Sequence, residues 1–203
     1  MDTSKSLLEK AKADPKSDAW FELISIYEPL IAGWIVRAGV EQSEVDDISQ
    51  EVFQTLSREL EAFEHNGRTG AFRNWLKITT VNRCRRYWDS KKRRSELSGT
   101  IDGPDVLNQL ADPNSELSKT WDNEHDHYVI DRILKMVERE FDRMSFEVFV
   151  RNVLKAESPE LLAREYEIPV GQVYKIKFRV MKRLRQEADE LVNISSFFEK
   201  KKK

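Results

Sequence analysis

The sequence predicts an all-α protein: two small helical domains joined by a flexible acidic linker, the second built around a helix-turn-helix. Three observations carry this. Strand-like alternation of any length is absent. Apolar residues instead recur at three- and four-residue steps along the chain. Charges nearly cancel, 34 Lys and Arg against 36 Asp and Glu in 203 residues, yet they are segregated. Seven of the twelve residues from Arg83 to Arg94 are basic, eight acids face one lysine from Ser95 to His127, and six basic residues with no acid lie from Ile168 to Gln186. Two basic blocks and an acidic connector suggest two DNA-facing surfaces and a spacer. The expected boundaries are 1–94, a linker at 95–127, 128–193, and a basic tail at 194–203.

Taken in order, Asp18 is placed to cap a helix whose face carries Trp20, Phe21, Ile24, Tyr27, Ile31 and Ile35 and which ends near Gly39. Ser43 with Asp46 resembles a capping box opening a second helix, with Val45, Ile48, Val52, Leu56 and Leu60 inward. Its opposite face carries Asp47, Gln50, Glu51 and Gln54. A Gly-containing loop (Phe63 to Gly70) leads to a helix beginning near Phe72 that runs into the first basic block. Gly99, Gly103, Pro104 and Pro113 then punctuate the acidic segment, with one helical turn expected at Val106 to Leu110. Helical pattern resumes around Tyr128 with Ile130, Ile133, Leu134, Val137 and Phe141, followed by a helix from Ser145 to about Lys155. The tail after Asn193 is expected to fray.

The helix-turn-helix falls at Ser158 to Glu187. Ser158-Pro159 is a start signal, a serine at the cap and a proline in the first turn, where its missing N–H does no harm. Leu161, Leu162, Ala163 and Tyr166 form an apolar face, with Ala163 small enough for close helix approach. Ile168-Pro169-Val170-Gly171 is the turn. Val173, Ile176, Val180 and Leu184 face inward in the second helix; Tyr174 and Phe178 share a face that suits either core or groove contacts, with core against the preceding helices the favoured reading. Gln172, Lys175, Arg179, Lys182 and Arg183 stay outside, the donors and cations that a recognition helix presents to base edges and phosphates.

One cysteine, Cys84, excludes an intrachain disulfide framework, and with three histidines it makes a Cys/His zinc site implausible. The polar N-terminus lacks the apolar core of a signal peptide. The longest apolar run, around Leu30 to Val40, is interrupted by Gly33 and Arg37, so no membrane span and a cytoplasmic location are expected.

The acid-and-amide face of the second helix suits a basic protein partner, since Asp47 and Glu51 would repel phosphates. The next helix interleaves Arg73, Lys77, Asn82, Arg85 and Arg86 with Trp75, Tyr87 and Trp88, a mixture suited to unpaired bases. Phe72, Trp75 and Leu76 are read as core; Trp88 is left open between core and stacking.

With those motifs in place, the chain resembles the extracytoplasmic-function (ECF) sigma factors, bacterial subunits that direct RNA polymerase to promoters. Asp46-Asp47-Ile48-Ser49-Gln50-Glu51-Val52-Phe53 looks like the family's polymerase-binding segment. Phe72-Arg73-Asn74-Trp75-Leu76, followed by Asn82, is similar to the segment that melts and reads the minus-10 element. The helix-turn-helix, with Ala163, Val173, Arg179 and Leu184 in register, resembles the minus-35 reader. Thr79-Thr80 replaces a usual Ile-Ala pair and Pro169 a usual Ser or Thr, which leaves promoter preference open.

The resemblance implies docking on core RNA polymerase through Asp47, Gln50, Glu51 and Gln54. It implies that His65, Asn66, Arg73, Lys77, Asn82, Arg85, Arg86 and Trp88 hold the melted non-template strand, and that Gln172, Lys175, Arg179, Lys182 and Arg183 hold duplex. It implies no cofactor, no metal and no catalytic residue, and leaves room for a separate anti-sigma factor. Two alternatives are weighed beside it: a regulator that binds DNA without polymerase, and a metal-dependent nuclease built on Asp46, Asp47, Glu51 and His65.

Overall fold

The computed structural model describes residues 6–63, 70–93 and 103–188, with residues 191, 192, 194, 197 and 198. No strand occurs among them, as the helical periodicity predicts. The helices are α1 (Leu7–Ala13), α2 (Asp18–Arg37), α3 (Val45–Glu59), α4 (Ala71–Arg93), α5 (Gly103–Ala111), α6 (Glu116–Glu138), α7 (Arg143–Val153), α8 (Pro159–Glu165) and α9 (Val170–Ala188).

Ser17, not Asp18, caps α2: its hydroxyl accepts the Trp20 N–H at 3.3 Å, and Asp18 becomes the first helical residue, its charge favourable at that end. Gly39 (φ +77°) supplies the left-handed residue just beyond the C-terminus. Gly33 does not interrupt the helix and Arg37 is its last residue, so α2 is unbroken for 20 residues at a mean hydropathy of 1.3. That corrects the expectation of a run too short to span a membrane. Length and composition alone do not make it a span, because a core helix passes the same test. Here Leu23, Ile26, Tyr27, Ile31, Trp34 and Ile35 are buried against α1, α3, α4 and α6.

The expected Ser43–Asp46 capping box does not form. Residues 42–44 make one 3-10 turn, α3 starts at Val45, and Glu44 makes no side-chain cap. The phase of α3 is nevertheless as expected, with Val45, Ile48, Val52 and Leu56 buried. Asp142 likewise caps α7 ahead of the expected Ser145 start, accepting the Ser145 N–H at 2.8 Å.

The acidic connector carries more structure than a flexible linker. Helix α5 extends well past the expected single turn, and Ser115 caps α6, which continues straight through the expected boundary at residues 127 and 128. Its few hydrophobes are well placed: Leu107, Leu110 and Trp121 are buried on neighbouring helices. The C-terminal half of α6 contributes Ile130, Ile133 and Val137 to the core shared with α7 and α9. Part of the tail is docked too, since Ile194 and Phe198 are buried and Phe198 meets Phe149 edge-on.

The helix-turn-helix forms where the sequence places it. Ser158 accepts the Leu161 N–H at 3.1 Å, and Pro159 opens α8. Ala163 is buried, and its carbonyl accepts the Ile168 N–H at 3.0 Å. The left-handed residue of the turn is Glu167 (φ +53°), while Gly171 lies inside α9. Arg151 ties α7 to this motif through bonds to Glu157 and Glu165, which hold both carboxyls below their usual range. Leu161, expected on the apolar face, is exposed.

Candidate functional site

Three polar surfaces stand on this frame. The first is the outer face of α3, where Asp47, Gln50, Glu51 and Gln54 are all exposed and follow one another at helical spacing. Asp47, Glu51 and Gln54 form one wall of an open groove of about 600 Å³, with Arg83, Arg86 and Tyr87 of α4 opposite. Glu51 meets Arg83 at 3.4 Å, and Arg83 also donates to the Thr55 hydroxyl. The groove is lined by both signs, acids and amides on the α3 side and Arg83, Arg86 and Lys91 on the α4 side.

The second surface is α4, and here the structure divides the expected set. Asn82, Arg85 and Arg86 are exposed, with Arg85 touching Asn108 of α5 at 3.2 Å. Phe72 and Leu76 are buried, and Trp75 packs on Phe63 and Phe72, as read for core. Trp88 is half-buried and its indole N–H donates to the Ala38 carbonyl at 3.1 Å, so its ring is held by the fold. Arg73 and Lys77 point inward to α6. Lys77 is 3% exposed and bonds Ser118 at 2.6 Å and Asp122 at 3.1 Å, and Arg73 bonds Asp122 at 3.1 Å and also Asp126. His65 and Asn66 lie outside the described residues, as does most of the expected base-receiving loop.

The third surface is α9. Val173, Ile176, Val180 and Leu184 are buried as expected, Lys175, Arg179 and Lys182 are exposed, and Gln172 is half-buried. Arg183 departs from the expected set: it bonds Glu140 at 2.6 and 2.8 Å and also Glu187, which fastens α9 to the α6–α7 turn. Tyr174 and Phe178 are 53% and 67% exposed, which overturns the favoured core placement and leaves the groove-facing alternative. The signal that could have found them is phase. At 100° per residue the four buried positions cluster on one side, and 174, 178, 182 and 175 fall together on the other.

Among the described residues, no group of three or more His, Cys, Asp or Glu side chains is arranged to hold a metal ion. Asp46, Asp47 and Glu51 lie exposed along α3, and Glu51 is turned to Arg83.

The fold thus presents an amphipathic helix with an acid-and-amide outer face, a cationic aromatic helix packed behind it and a separate helix-turn-helix. Residues 23–94, which include most of α2 and all of α3 and α4, match the family model for Sigma-70 region 2. The match to that region indicates the function of a sigma factor, binding of core RNA polymerase with promoter melting and initiation. A search of curated proteins found no match. Sigma factors are not a class of enzymes, and the regulator independent of polymerase is not favoured.

Proposed function

We propose that the protein is an ECF-type sigma factor that grips a promoter at two places. The outer face of α3 docks on a basic or amide-rich coiled coil of core polymerase, with Asp47, Gln50 and Glu51 central and Gln54 at the edge. Helix α4 and the loop before it take the melted non-template strand. Asn82, Arg85 and Arg86 meet its backbone, Arg73 and Lys77 join them once freed from α6, and His65 and Asn66 lie beside a flipped base. Unstacking that base costs a few kcal/mol, so cation contacts and a fitted pocket must act together. Helices α8 and α9 hold minus-35 duplex through Gln172, Lys175, Arg179 and Lys182. A cytoplasmic location and a separate anti-sigma factor belong to this reading.

The observation that carries it is the unbroken exposed stripe Asp47, Gln50, Glu51, Gln54 on a helix whose other side is wholly buried, inside the segment that matches the family. Such a stripe adds nothing to the core and fits a protein partner of opposite charge. Asp47→Lys and Glu51→Lys should each abolish co-purification with core polymerase and promoter-dependent run-off transcription, with helical circular dichroism retained. Normal core binding by both variants would overturn the docking assignment.

A further inference from the structure

One face of α6 is built to seat on α2 and α4. Ser118, Trp121, Asp122, His125 and Asp126 are spaced at three, four, seven and eight residues, so they share that face. Trp121 lies on Trp34 with ring centroids 4.6 Å apart. His125 is fully buried, its Nδ1 3.1 Å from Asp126 and its Nε2 3.2 Å from the Tyr27 hydroxyl. The neutral tautomer protonated at Nδ1 satisfies both bonds and also gives the phenol O–H an acceptor: Nδ1–H donates to the carboxylate, and Nε2 accepts from Tyr27. Beside it, Asp122 and Asp126 hold the Arg73 guanidinium, and Asp122 with Ser118 holds the Lys77 ammonium. Gly70 (φ +82°) supports the arrangement, because a Cβ there would lie 2.7 Å from Arg73 Nη2.

Arg73 and Lys77 therefore have ligands of the kind DNA would offer. Carboxylate and phosphate oxygens accept the same charge-assisted bonds from guanidinium and ammonium groups. We infer that this face of α6 is an internal stand-in for the melted strand: Asp122 and Asp126 occupy Arg73 and Lys77 in the free chain and must leave before promoter phosphates can take their place.

Two features make the contact releasable. The indole N–H groups of Trp34 and Trp121 are buried with no hydrogen-bond partner, so opening lets water reach them and returns part of the cost of closing. Helix α6 also continues without a break into the core that it shares with α7 and α9. Moving its N-terminal half off α4 thus shifts the helix-turn-helix relative to α4, and duplex bound there is coupled to release of the latch.

The inference rests on assigning Arg73 and Lys77 to the melted strand, and two measurements separate the claims. Spin labels at Asp89→Cys on α4 and Asn123→Cys on α6, both exposed, report the separation of the helices. Cys84 does not compete for label, since burial pushes its thiol up to about 12. The free chain should give one separation, and the complete complex with core polymerase and promoter a longer one. An unchanged separation in that complex overturns the latch.

In the second measurement, the Asp122→Asn, Asp126→Asn chain without polymerase should bind a single-stranded oligonucleotide roughly tenfold more tightly than the parent at low salt, with a steeper salt dependence. Equal affinity and slope overturn the masking. If α6 moves but Arg73→Ala, Lys77→Ala holoenzyme melts promoters normally, the assignment of those cations falls and the masking with it, while the docking of α3 on polymerase stands.

Discussion

Helices α4 and α9 carry comparable numbers of cations but differ in how many are engaged inside the fold. Arg85 and Arg86 are exposed on α4, and only Arg183 is tied down by acids on α9 among the cations expected at DNA. On α4, Arg73 and Lys77 meet acids of α6, Arg83 meets Glu51 of α3, and Lys91 meets Glu41 at 2.9 Å. On α9, Lys175 and Lys182 stand in solvent, and Arg179 is steadied over the Phe141 ring, 5.7 Å from its centroid. One surface holds internal partners where DNA is expected, and the other is presented ready. A cation serves the fold where an acid from a distant helix arrives, and a count of basic residues in a window does not distinguish the two.

The largest test of that contrast is stability. Lys77→Ala removes a buried stem and leaves the Ser118 hydroxyl without its ammonium, so it should cost about 2–4 kcal/mol in urea unfolding. Lys175→Ala should change stability by no more than about 0.5 kcal/mol. Equal costs at the two sites would erase the distinction.

A second test is pH. Burial lowers the pKa of His125 from its ordinary 6.5, with Asp126 opposing only in part. Burial raises the Asp126 carboxyl, but bonds from His125 and Arg73 outweigh it and leave the carboxyl below its ordinary 3.8. Both groups therefore bind protons more readily in the unfolded chain. Stability should be full above about pH 6.5 and fall as the solution is acidified, at up to about 1.4 kcal/mol per pH unit from His125, with Asp126 adding its share below about pH 4. His125→Gln should flatten the first part of that slope. A slope unchanged between pH 6.5 and 5 would mean that the buried imidazole does not govern it.

Local signals were legible and long-range ones were not. Ser158-Pro159 and the two faces of α3 could be read because caps and helical phase are written within a few residues. The Ser43–Asp46 box failed because a 3-10 turn absorbed Ser43, a matter of where the helix begins. The acids of the connector were visible as composition, but their partners Arg73 and Lys77 lie more than 40 residues away, and nothing local predicts that meeting. Trp88 could not be resolved for the same reason, because its partner is the Ala38 carbonyl just past the end of α2. Tyr174 and Phe178 are different: of the two placements open to them, their helical phase pointed to the outward one.

On the ready surface, Arg179→Ala and Lys175→Ala should each weaken duplex binding about equally across sequences and reduce the salt slope by about 1, measured by holoenzyme titration on a minus-35 fragment. An effect confined to one sequence would mean that the residue reads a base and does not hold a phosphate.

The smallest expected effect is at Phe178, and it tests whether the aromatic pair reads sequence. An exposed phenylalanine among cations on the outer arc of a recognition helix is positioned to meet the major groove, where thymine alone presents a methyl group. Because its side chain lies outside the core, Phe178→Ala should leave stability within about 0.5 kcal/mol of the parent. On a minus-35 duplex containing thymine it should lose about 1 kcal/mol of binding, roughly fivefold, at the low end of what one specific base contact contributes. Replacing those thymines with uracil removes the methyls and leaves the backbone charge and base-pairing edges in place. The parent chain should then bind the uracil duplex about as weakly as Phe178→Ala binds either. If the variant loses the same affinity on both duplexes, Phe178 touches sugar or phosphate, and sequence is read elsewhere on α9.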